Sequence, residues 1–379
     1  MYIRVQFAGF FTLFARMNKS KIFLIFIIFF GLMSIQLEAQ TLDRKLLTWE
    51  RKTINIGAVM EEKGAVEAEF YGLNLNREDI ILTDVVTDCG CTTVDYTKDT
   101  LATDKIGSIK VRFDPDHRGG EFSKVIIVRT NEDIYGDTLY LEGINMPLPE
   151  NKEMAYPHRI GNLGFRLSAV NMGNVFTNEP KVKHVEIHNF GSEAMELTSD
   201  QESLPDYLLV NMDPSPLQAD QRGLLVISYD GEKKGDLGYF DEHITLSFLD
   251  EEKITIRMMS VVYEYFKPVP KSMEKIVPRL SLSESDIDFR EIPSSRKVTK
   301  SVMISNLGQE NLQIRKLASN CSCIDLSIAQ TEIGPGERAS LDIEFDPKGR
   351  RGIDHKHITI FSNDPINPVR TIVIKSNIK

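Results

Sequence analysis

The sequence TDCGCT at residues 87–92 returns as SNCSCI at residues 319–324, which lies 232 positions further along the chain. These two segments contain all four cysteines of the protein: Cys89, Cys91, Cys321 and Cys323. A pair of cysteines one residue apart, placed twice at the same relative position, marks a repeated site. The surrounding sequence therefore has to be compared at the same offset.

The flanking segments repeat at this offset. NLN at residues 74–76 matches NLG at 306–308, and FDP at 113–115 matches FDP at 345–347. Three landmarks in one order and at one spacing indicate a duplicated domain.

Apolar and polar residues alternate between these landmarks, as is typical of half-buried strands. Residues 108–113 and 340–345 each place three apolar side chains on one face. No segment has a long helical period, and Gly, Asn, Asp and Pro separate the short strands. The sequence predicts an all-β protein whose repeats are immunoglobulin-like β-sandwiches.

A third, divergent copy lies between the first two. VNMGNV at residues 170–175 resembles INIGAV at 54–59, and HNFG at 188–191 resembles SNLG at 305–308. The middle copy has no cysteine, so the fold does not depend on the Cys pair. Two histidines that flank its apolar strand, His184 and His188, are predicted to lie on the surface.

The sequence predicts three tandem domains, at residues 41–147, 153–266 and 280–379. Segments with two prolines each, at 147–152 and 267–273, are predicted to be extended, semi-stiff linkers.

A shared asparagine begins a turn in every copy. The residue two positions later is Asn76, Gly191 or Gly308. Asn and Gly adopt the left-handed conformation most readily, so these three residues are predicted to be left-handed.

The N-terminus has the features of a signal peptide at residues 1–39. Arg16, Lys19 and Lys21 precede an apolar run at 22–30, and Ala39 offers a cleavage site. Met17 opens a conventional signal peptide by itself, and we interpret residues 1–16 as the product of an upstream start codon. The apolar run is short for a membrane span, although an uncleaved anchor stays an alternative. We therefore expect an exported protein without membrane insertion after cleavage, in the periplasm, the envelope or the extracellular space.

The composition of the chain excludes some partners. The 379 residues carry a formal net charge of −10 and 41% are hydrophobic. No stripe of Lys and Arg is present of the kind that follows phosphates. We expect no nucleic-acid partner.

The first and third copies resemble the bacterial family known as domain of unknown function 1573. The first copy has the Asn turn at 74–76, CGCT at 89–92 and FDP at 113–115. The third copy has the Asn turn at 306–308, CSC at 321–323, PGE at 335–337, FDP at 345–347 and SND at 362–364. The first copy lacks the PGE turn and has DKIG at 104–107. The resemblance implies exported immunoglobulin-like domains, similar to those of cilia- and centrosome-associated proteins, and implies no activity.

The cysteine spacing leaves a structural interpretation and a chemical one open. In an extended strand, Cα atoms two residues apart are separated by roughly 6.5 Å, which is borderline for a disulfide unless a turn draws them together. Gly90 would permit such a turn, and Ser322 would make it harder. A disulfide of this kind closes a very short loop and would be easily reduced. Alternatively, the cysteines fill the core as small apolar residues.

Metal binding is the second interpretation. Two thiolates on one side suit Cu(I), whereas zinc takes four ligands. In the third copy His355 and His357 would complete such a set with Cys321 and Cys323, because their strand is expected to lie antiparallel to the strand that leads into the cysteines. The first copy has Ser123 and Val125 there.

No motif of a hydrolase, a nucleotide-binding enzyme or a metalloprotease is present. We therefore expect a non-enzymatic interaction or scaffolding protein with an unidentified protein partner and no cofactor. Copper or zinc handling through the Cys pairs is the alternative. Thiol exchange is a third hypothesis, which reactive cysteines of low pKa would support.

Overall fold

The structure is a computed structural model, and it describes residues 46–116, 118–198, 204–249 and 253–379. The predicted signal peptide lies outside these residues. The chain divides into two compact units between Leu148 and Pro149, inside the predicted linker at 147–152. The limits of the individual domains stay predictions.

The first unit contains one sandwich of two four-stranded sheets. Its strands are β1 (Thr48–Trp49), β2 (Thr53–Met60), β3 (Val66–Leu73), β4 (Leu82–Thr87), β5 (Thr92–Tyr96), β6 (Ile106–Phe113), β7 (Gly120–Thr130) and β8 (Asp137–Met146). One sheet has the order β1-β3-β6-β5 and the other the order β2-β8-β7-β4. A short 3₁₀ helix at Glu61–Lys63 connects β2 to β3. We call this assembly the first sandwich.

The second unit begins with the middle sandwich. Its strands are β9 (His158–Ile160), β10 (Leu163–Phe165), β11 (Ala169–Phe176), β12 (Lys181–Asn189), β13 (Leu208–Asp213), β14 (Arg222–Tyr229), β15 (Gly238–Ser247) and β16 (Lys253–Tyr263). They form sheets of order β13-β14-β12-β10-β9 and β11-β16-β15. Two helices of one turn, α1 (Lys152–Ala155) and α2 (Gly231–Lys234), accompany them. No helix in the described ranges is long and apolar enough to cross a membrane.

The third sandwich completes the second unit. Its strands are β17 (Leu280–Leu282), β18 (Asp286–Ile292), β19 (Val298–Asn306), β20 (Leu312–Ser319), β21 (Ile324–Ile328), β22 (Glu332–Ile333), β23 (Arg338–Phe345), β24 (Gly352–Ser362) and β25 (Val369–Ile378). The sheets have the orders β17-β19-β23-β21 and β18-β25-β24-β20-β22.

The predicted strand faces are confirmed. Each sandwich has its own hydrophobic cluster. In β6 the inward side chains are buried, and the equivalent positions of β23 are buried as well: Ile109, Val111, Phe113, Leu341, Ile343 and Phe345. The all-β class predicted from alternation is therefore the observed one.

The shared asparagine ties two loops together in every copy. Asn306 is fully buried, and its side-chain amide donates to the carbonyl oxygens of Glu310 (2.8 Å) and Ile333 (3.0 Å). Its Oδ1 accepts the N–H of Gly308 at 2.9 Å. Asn74 and Asn189 make the corresponding bonds.

The prediction that the residue two positions after this asparagine is left-handed is wrong. Asn76, Gly191 and Gly308 do not have a positive φ. The asparagine side chain closes the turn by itself, so no left-handed residue is required. Gly308 is needed for another reason: a Cβ there would lie 2.0 Å from the carbonyl oxygen of Val277.

The left-handed turn that the copies share lies one loop later, before the strand that ends in FDP. Gly336 has φ +74°, and the equivalent residues Asp104 and Asp220 have φ +63° and +57°. The first copy lacks the PGE sequence but has the same backbone turn, because aspartate tolerates the left-handed region better than most residues.

A β-bulge also recurs in all three copies, on the strand that pairs in parallel with the last strand. Its left-handed residue is Gly57, Gly173 or Arg290, with φ of +73°, +66° and +56°. The side chain two residues earlier, Asn or Asp, accepts the N–H of this residue.

Candidate functional site

The first Cys-x-Cys pair lies in a tight turn between β4 and β5. The N–H of Thr92 donates to the carbonyl oxygen of Cys89 (3.3 Å), which closes a β-turn around Gly90. The Thr87 hydroxyl donates to the carbonyl oxygen of Thr92 at 2.9 Å. The turn brings the Cα atoms of Cys89 and Cys91 to 5.3 Å, and the two residues form a disulfide.

The second pair lies in the same kind of turn. Ile324 donates its N–H to the carbonyl oxygen of Cys321 at 3.2 Å. The Cα atoms of Cys321 and Cys323 are 5.1 Å apart and the sulfurs form a disulfide. Ser322 therefore adopts the same turn as Gly90, and the turn does not require glycine because Gly90 does not have a positive φ. The expectation that Ser322 would hinder the turn is wrong.

Each disulfide turn lies at a corner where the chain passes from one sheet to the other. β4 is an edge strand of one sheet, and β5 is the edge strand of the other. The FDP segment stabilises the corner through backbone hydrogen bonds. The N–H of Asp114 donates to the carbonyl oxygen of Cys91, and the N–H of Asp346 donates to the carbonyl oxygen of Cys323, both at 2.9 Å. This contact explains why the Cys and FDP segments repeat together.

The cysteines differ in burial. Cys91 is 6% exposed and belongs to the core of the first sandwich. Cys89 and Cys323 are partly buried and pack against the cores of their sandwiches. Cys321 is partly buried as well. The structural interpretation of the pairs, as disulfides at the rim of the core, fits these positions.

The sulfurs of the two pairs have different neighbours. In the first pair, both sulfurs lie near the Thr92 hydroxyl, at 3.6 and 3.7 Å. In the second pair, Ile324 takes the place of Thr92, and the Arg350 guanidinium donates from Nη2 to Cys321 Sγ at 2.9 Å. The backbone N–H of Cys323 donates to the same sulfur at 3.1 Å.

Arg350 is itself held by an acidic side chain. Its Nη1 lies 3.5 Å from Asp354 Oδ2, and the Asp354 carboxylate also pairs with Lys356. The sequence repeat has an arginine at the equivalent position of the first copy, Arg118, but Phe122 stands in the place of Asp354 and stacks on Phe113 with ring centroids 4.2 Å apart.

The side chains of His355 and His357 do not reach the cysteines. The predicted pairing of their strand is confirmed, since β24 lies antiparallel to β20. Both histidines are exposed, on the face of β24 opposite to buried Ile358. The backbone of His357 contacts this corner twice: its N–H donates to Asn320 Oδ1 at 2.9 Å, and its carbonyl oxygen accepts the N–H of Asn320 at 3.1 Å. In the described residues no group of three or more His, Cys, Asp or Glu is placed to hold a metal ion. Copper or zinc binding stays a prediction, and it requires reduced cysteines.

The middle sandwich holds a buried polar cluster that the sequence did not indicate. Glu186 accepts hydrogen bonds from the Tyr156 hydroxyl and from Arg166, and it lies 3.0 Å from Arg222 Nε. Burial and the Glu186 carboxylate raise the pKa of Tyr156. The segment that follows the predicted linker is thereby attached to the sheet.

His188 belongs to the same face and is 5% exposed. The prediction of a surface histidine is wrong, because Tyr156 and Phe190 cover the ring, with centroids 5.5 and 4.4 Å away. Burial lowers the pKa of His188, although Asp220 opposes this effect. Tyr156 comes from another part of the chain, so the alternation of residues within the strand of His188 cannot predict that the ring is covered.

The fold and the corner geometry define a class of protein: repeated immunoglobulin-like β-sandwiches with a disulfide-closed Cys-x-Cys turn in two of the copies. The family model "Protein of unknown function (DUF1573)" matches residues 47–145 and 280–378, which is more than half of the chain. The chain belongs to this family, as the resemblance of its motifs implied.

Two solved structures illustrate a distant resemblance to the chain. A protein of unknown function from Porphyromonas gingivalis is 18% identical, with a TM-score of 0.42, over 57% of this chain and 100% of that chain. The ASH / PapD-like domain 7 of human CEP192 is 11% identical, with a TM-score of 0.25, over 30% of this chain and 92% of that one. No match was found among curated proteins.

Proposed function

We propose that the protein is an exported, non-enzymatic interaction or scaffolding module of the bacterial envelope, and that its sandwich edges bind extended segments of partner proteins. Two disulfides support export, because such bonds form and persist in oxidising compartments. The motifs of the sequence offer no catalytic constellation, whereas the strand edges offer a binding mode.

The observation that carries the proposal is that β5 and β21 are edge strands with outward-pointing backbone groups. Each begins directly after a disulfide turn and pairs with one neighbour in its sheet, β6 or β23. Along an antiparallel strand, every second residue hydrogen-bonds to the paired neighbour, and the residues between them point their backbone groups away from it. In this register, the backbone N–H and C=O of Val94, and those of the equivalent Leu326, point away from the paired neighbour. An extended peptide can use such groups by adding a strand to the sheet.

The disulfide turn supports this role because it anchors the first residue of the edge strand. A partner strand then binds an edge that is already ordered, which lowers the entropy lost on binding. Thr93 and Asp325, at equivalent positions, are exposed next to the outward backbone groups. A partner would therefore meet a polar surface over the edge and a half-buried apolar residue at every second position.

Site-specific crosslinking in cells tests the proposal. A photoreactive residue would replace Thr93 or Asp325 at the edge, and matched controls would carry it at Ser123 or His355, which are equivalent exposed positions in central strands of the opposite sheet. We expect a crosslinked partner from the edge positions only, in the envelope fraction. Crosslinks of equal strength at all four positions, or at none, would contradict edge binding, and a cytoplasmic chain with free thiols would contradict export.

A further inference from the structure

The two disulfides have the same turn but different electrostatic surroundings. Cys321 Sγ accepts two N–H groups, one from the Arg350 guanidinium at 2.9 Å and one from the Cys323 backbone at 3.1 Å. In the described part of the first sandwich no cation contacts the sulfurs, and their neighbour is the Thr92 hydroxyl. The chain therefore contains two equivalent disulfide turns with different neighbours, and only the second has a cation at a sulfur.

A cation beside a sulfur distinguishes between its redox states. A disulfide sulfur is neutral and accepts hydrogen bonds weakly, whereas a thiolate carries a full charge and makes charge-assisted bonds that are roughly twice as strong as neutral ones. Arg350 thus stabilises the reduced pair more than the oxidised pair. An arginine close to a cysteine also lowers the pKa of the thiol, which makes it reactive near neutral pH.

The position of Cys321 fits this role. Cys321 and Cys323 are both partly buried, but of the two only Cys323 packs against the hydrophobic core. Arg350 lies beside Asp354, which also pairs with Lys356, so this group of three side chains carries a net positive charge. The Asp354 and Lys356 side chains are 16% and 12% exposed and that of Arg350 is 36% exposed, so water screens the Arg350 contact in part.

We propose that the Cys321–Cys323 disulfide is a thiol–disulfide exchange site in which Cys321 carries the thiolate of the reduced pair, while Cys89–Cys91 is a structural disulfide. This inference goes beyond the proposed scaffolding function and does not require it. The substrates it assigns are a protein dithiol, as the source of electrons, and a protein disulfide, as their acceptor.

The exchange conserves atoms and electrons. The Cys321 thiolate attacks one sulfur of the acceptor disulfide, so that a Cys321–acceptor bond forms and the acceptor's second sulfur leaves as a thiolate, which takes a proton from water. Cys323 loses its proton to water and attacks Cys321 Sγ, which releases the first acceptor sulfur as a thiolate. The acceptor gains two electrons, and the Cys321–Cys323 bond forms again. The protein dithiol reduces this bond by the reverse sequence.

Redox titration of the mature chain, residues 40–379, tests the assignment. The protein would be equilibrated with mixtures of reduced and oxidised dithiothreitol, quenched in acid and alkylated, and each pair would be measured by peptide mass spectrometry. We expect the equilibrium constant for reduction of Cys321–Cys323 to be about tenfold larger than that of Cys89–Cys91, which corresponds to about 30 mV. Reduction of both pairs at the same ratio would overturn the proposal.

The arginines supply matched variants. Arg350→Gln should bring the two constants together, whereas Arg118→Gln, at the equivalent position of the first copy, should leave both unchanged. Arg350→Lys keeps the charge and should retain most of the difference, which separates loss of charge from loss of folding. An unchanged constant in a folded Arg350→Gln protein would refute the role of this arginine.

The identity of the nucleophile is tested with oxidised glutathione as the acceptor. Cys323→Ser leaves Cys321 free, and Cys91→Ser leaves Cys89 free. We expect Cys321 to form the mixed disulfide faster between pH 6 and pH 7, with the difference lost after Arg350→Gln. Equal rates at Cys321 and Cys89 would make both pairs structural.

Discussion

At the scale of single residues, Arg290 has a backbone conformation that glycine holds in the other two copies. Gly57, Gly173 and Arg290 are the left-handed residues of the same β-bulge, and Arg290 has φ +56°. A Cβ in this region lies too close to the neighbouring carbonyl oxygen, which costs roughly 1–2 kcal/mol for residues other than glycine. The Arg290 side chain is exposed. The third sandwich therefore carries backbone strain that its homologous copies avoid.

Arg290→Gly should stabilise the third sandwich. The relief of strain exceeds the added entropy of the unfolded chain, and we expect a gain of about 0.5–1 kcal/mol in the free energy of unfolding. Urea unfolding measures the gain. Gly57→Arg is the reverse change in the first sandwich and should destabilise it by about 1 kcal/mol. If Arg290→Gly lowered stability, the bulge would not have the backbone described.

The identity of a single residue does not determine whether its backbone is left-handed. Residue identity predicts left-handed positions for Gly and Asn, yet Asn76 is not left-handed and Asp104 is. A turn can be closed by an asparagine side chain or by a left-handed residue, and both solutions select similar amino acids. Only the backbone distinguishes them.

At the scale of elements, the shared asparagines join the end of one strand to a loop about 27 residues later. Asn306 connects the end of β19 to the carbonyl oxygen of Ile333 in β22, and Asn74 connects the end of β3 to that of Leu101. Both asparagines are fully buried. Loss of the amide donors would remove hydrogen bonds from carbonyl groups in the protein interior, which is costly.

Asn306→Asp should destabilise the third sandwich by about 3 kcal/mol, because a carboxylate oxygen would replace the donor that faces two carbonyl oxygens. Gln309→Glu makes the same amide-to-acid change at an exposed position of the same loop and should change stability by less than about 0.5 kcal/mol. The midpoint of urea unfolding measures both. Equal effects of the two substitutions would show that the asparagine is not a structural tie.

At the scale of the whole molecule, polar contacts join the middle and third sandwiches within the second unit. The Arg315 guanidinium donates to both oxygens of Glu264, at 3.0 and 3.1 Å, and Lys316 donates to Asp236 at 2.8 Å. Tyr263 and Phe361 lie in the same region, with ring centroids 6.4 Å apart. Most of these contacts are ionic and partly exposed, so salt screens them.

Combined Glu264→Gln and Asp236→Asn substitutions should loosen this junction without unfolding either sandwich, because exposed ion pairs contribute about 1 kcal/mol or less each. We expect faster trypsin cleavage after Lys271, in the segment between the two sandwiches, and a similar acceleration of the unsubstituted protein at high salt. Asp241→Asn removes a two-bond Arg–carboxylate pair inside the middle sandwich and is the control. If this control accelerated cleavage as much, the effect would be general destabilisation.

The sequence alone determined the repeat, the all-β class and the faces of the strands. These properties follow from local patterns: alternation sets which side chains face a core, and landmarks at one offset reveal duplicated domains. It also indicated the two thiol pairs, and it left open whether a turn would bring their sulfurs together.

Only the tertiary structure decided how the surroundings of the two cysteine pairs differ and which distant residues pack against each other. Arg350 reaches Cys321 from a loop 29 residues later, and Tyr156 covers His188 from the chain before β9. The sequence contains an arginine at both equivalent positions, Arg118 and Arg350, and does not show which of them reaches a sulfur. Contacts between distant segments depend on how loops pack, and local periodicity carries no record of that packing.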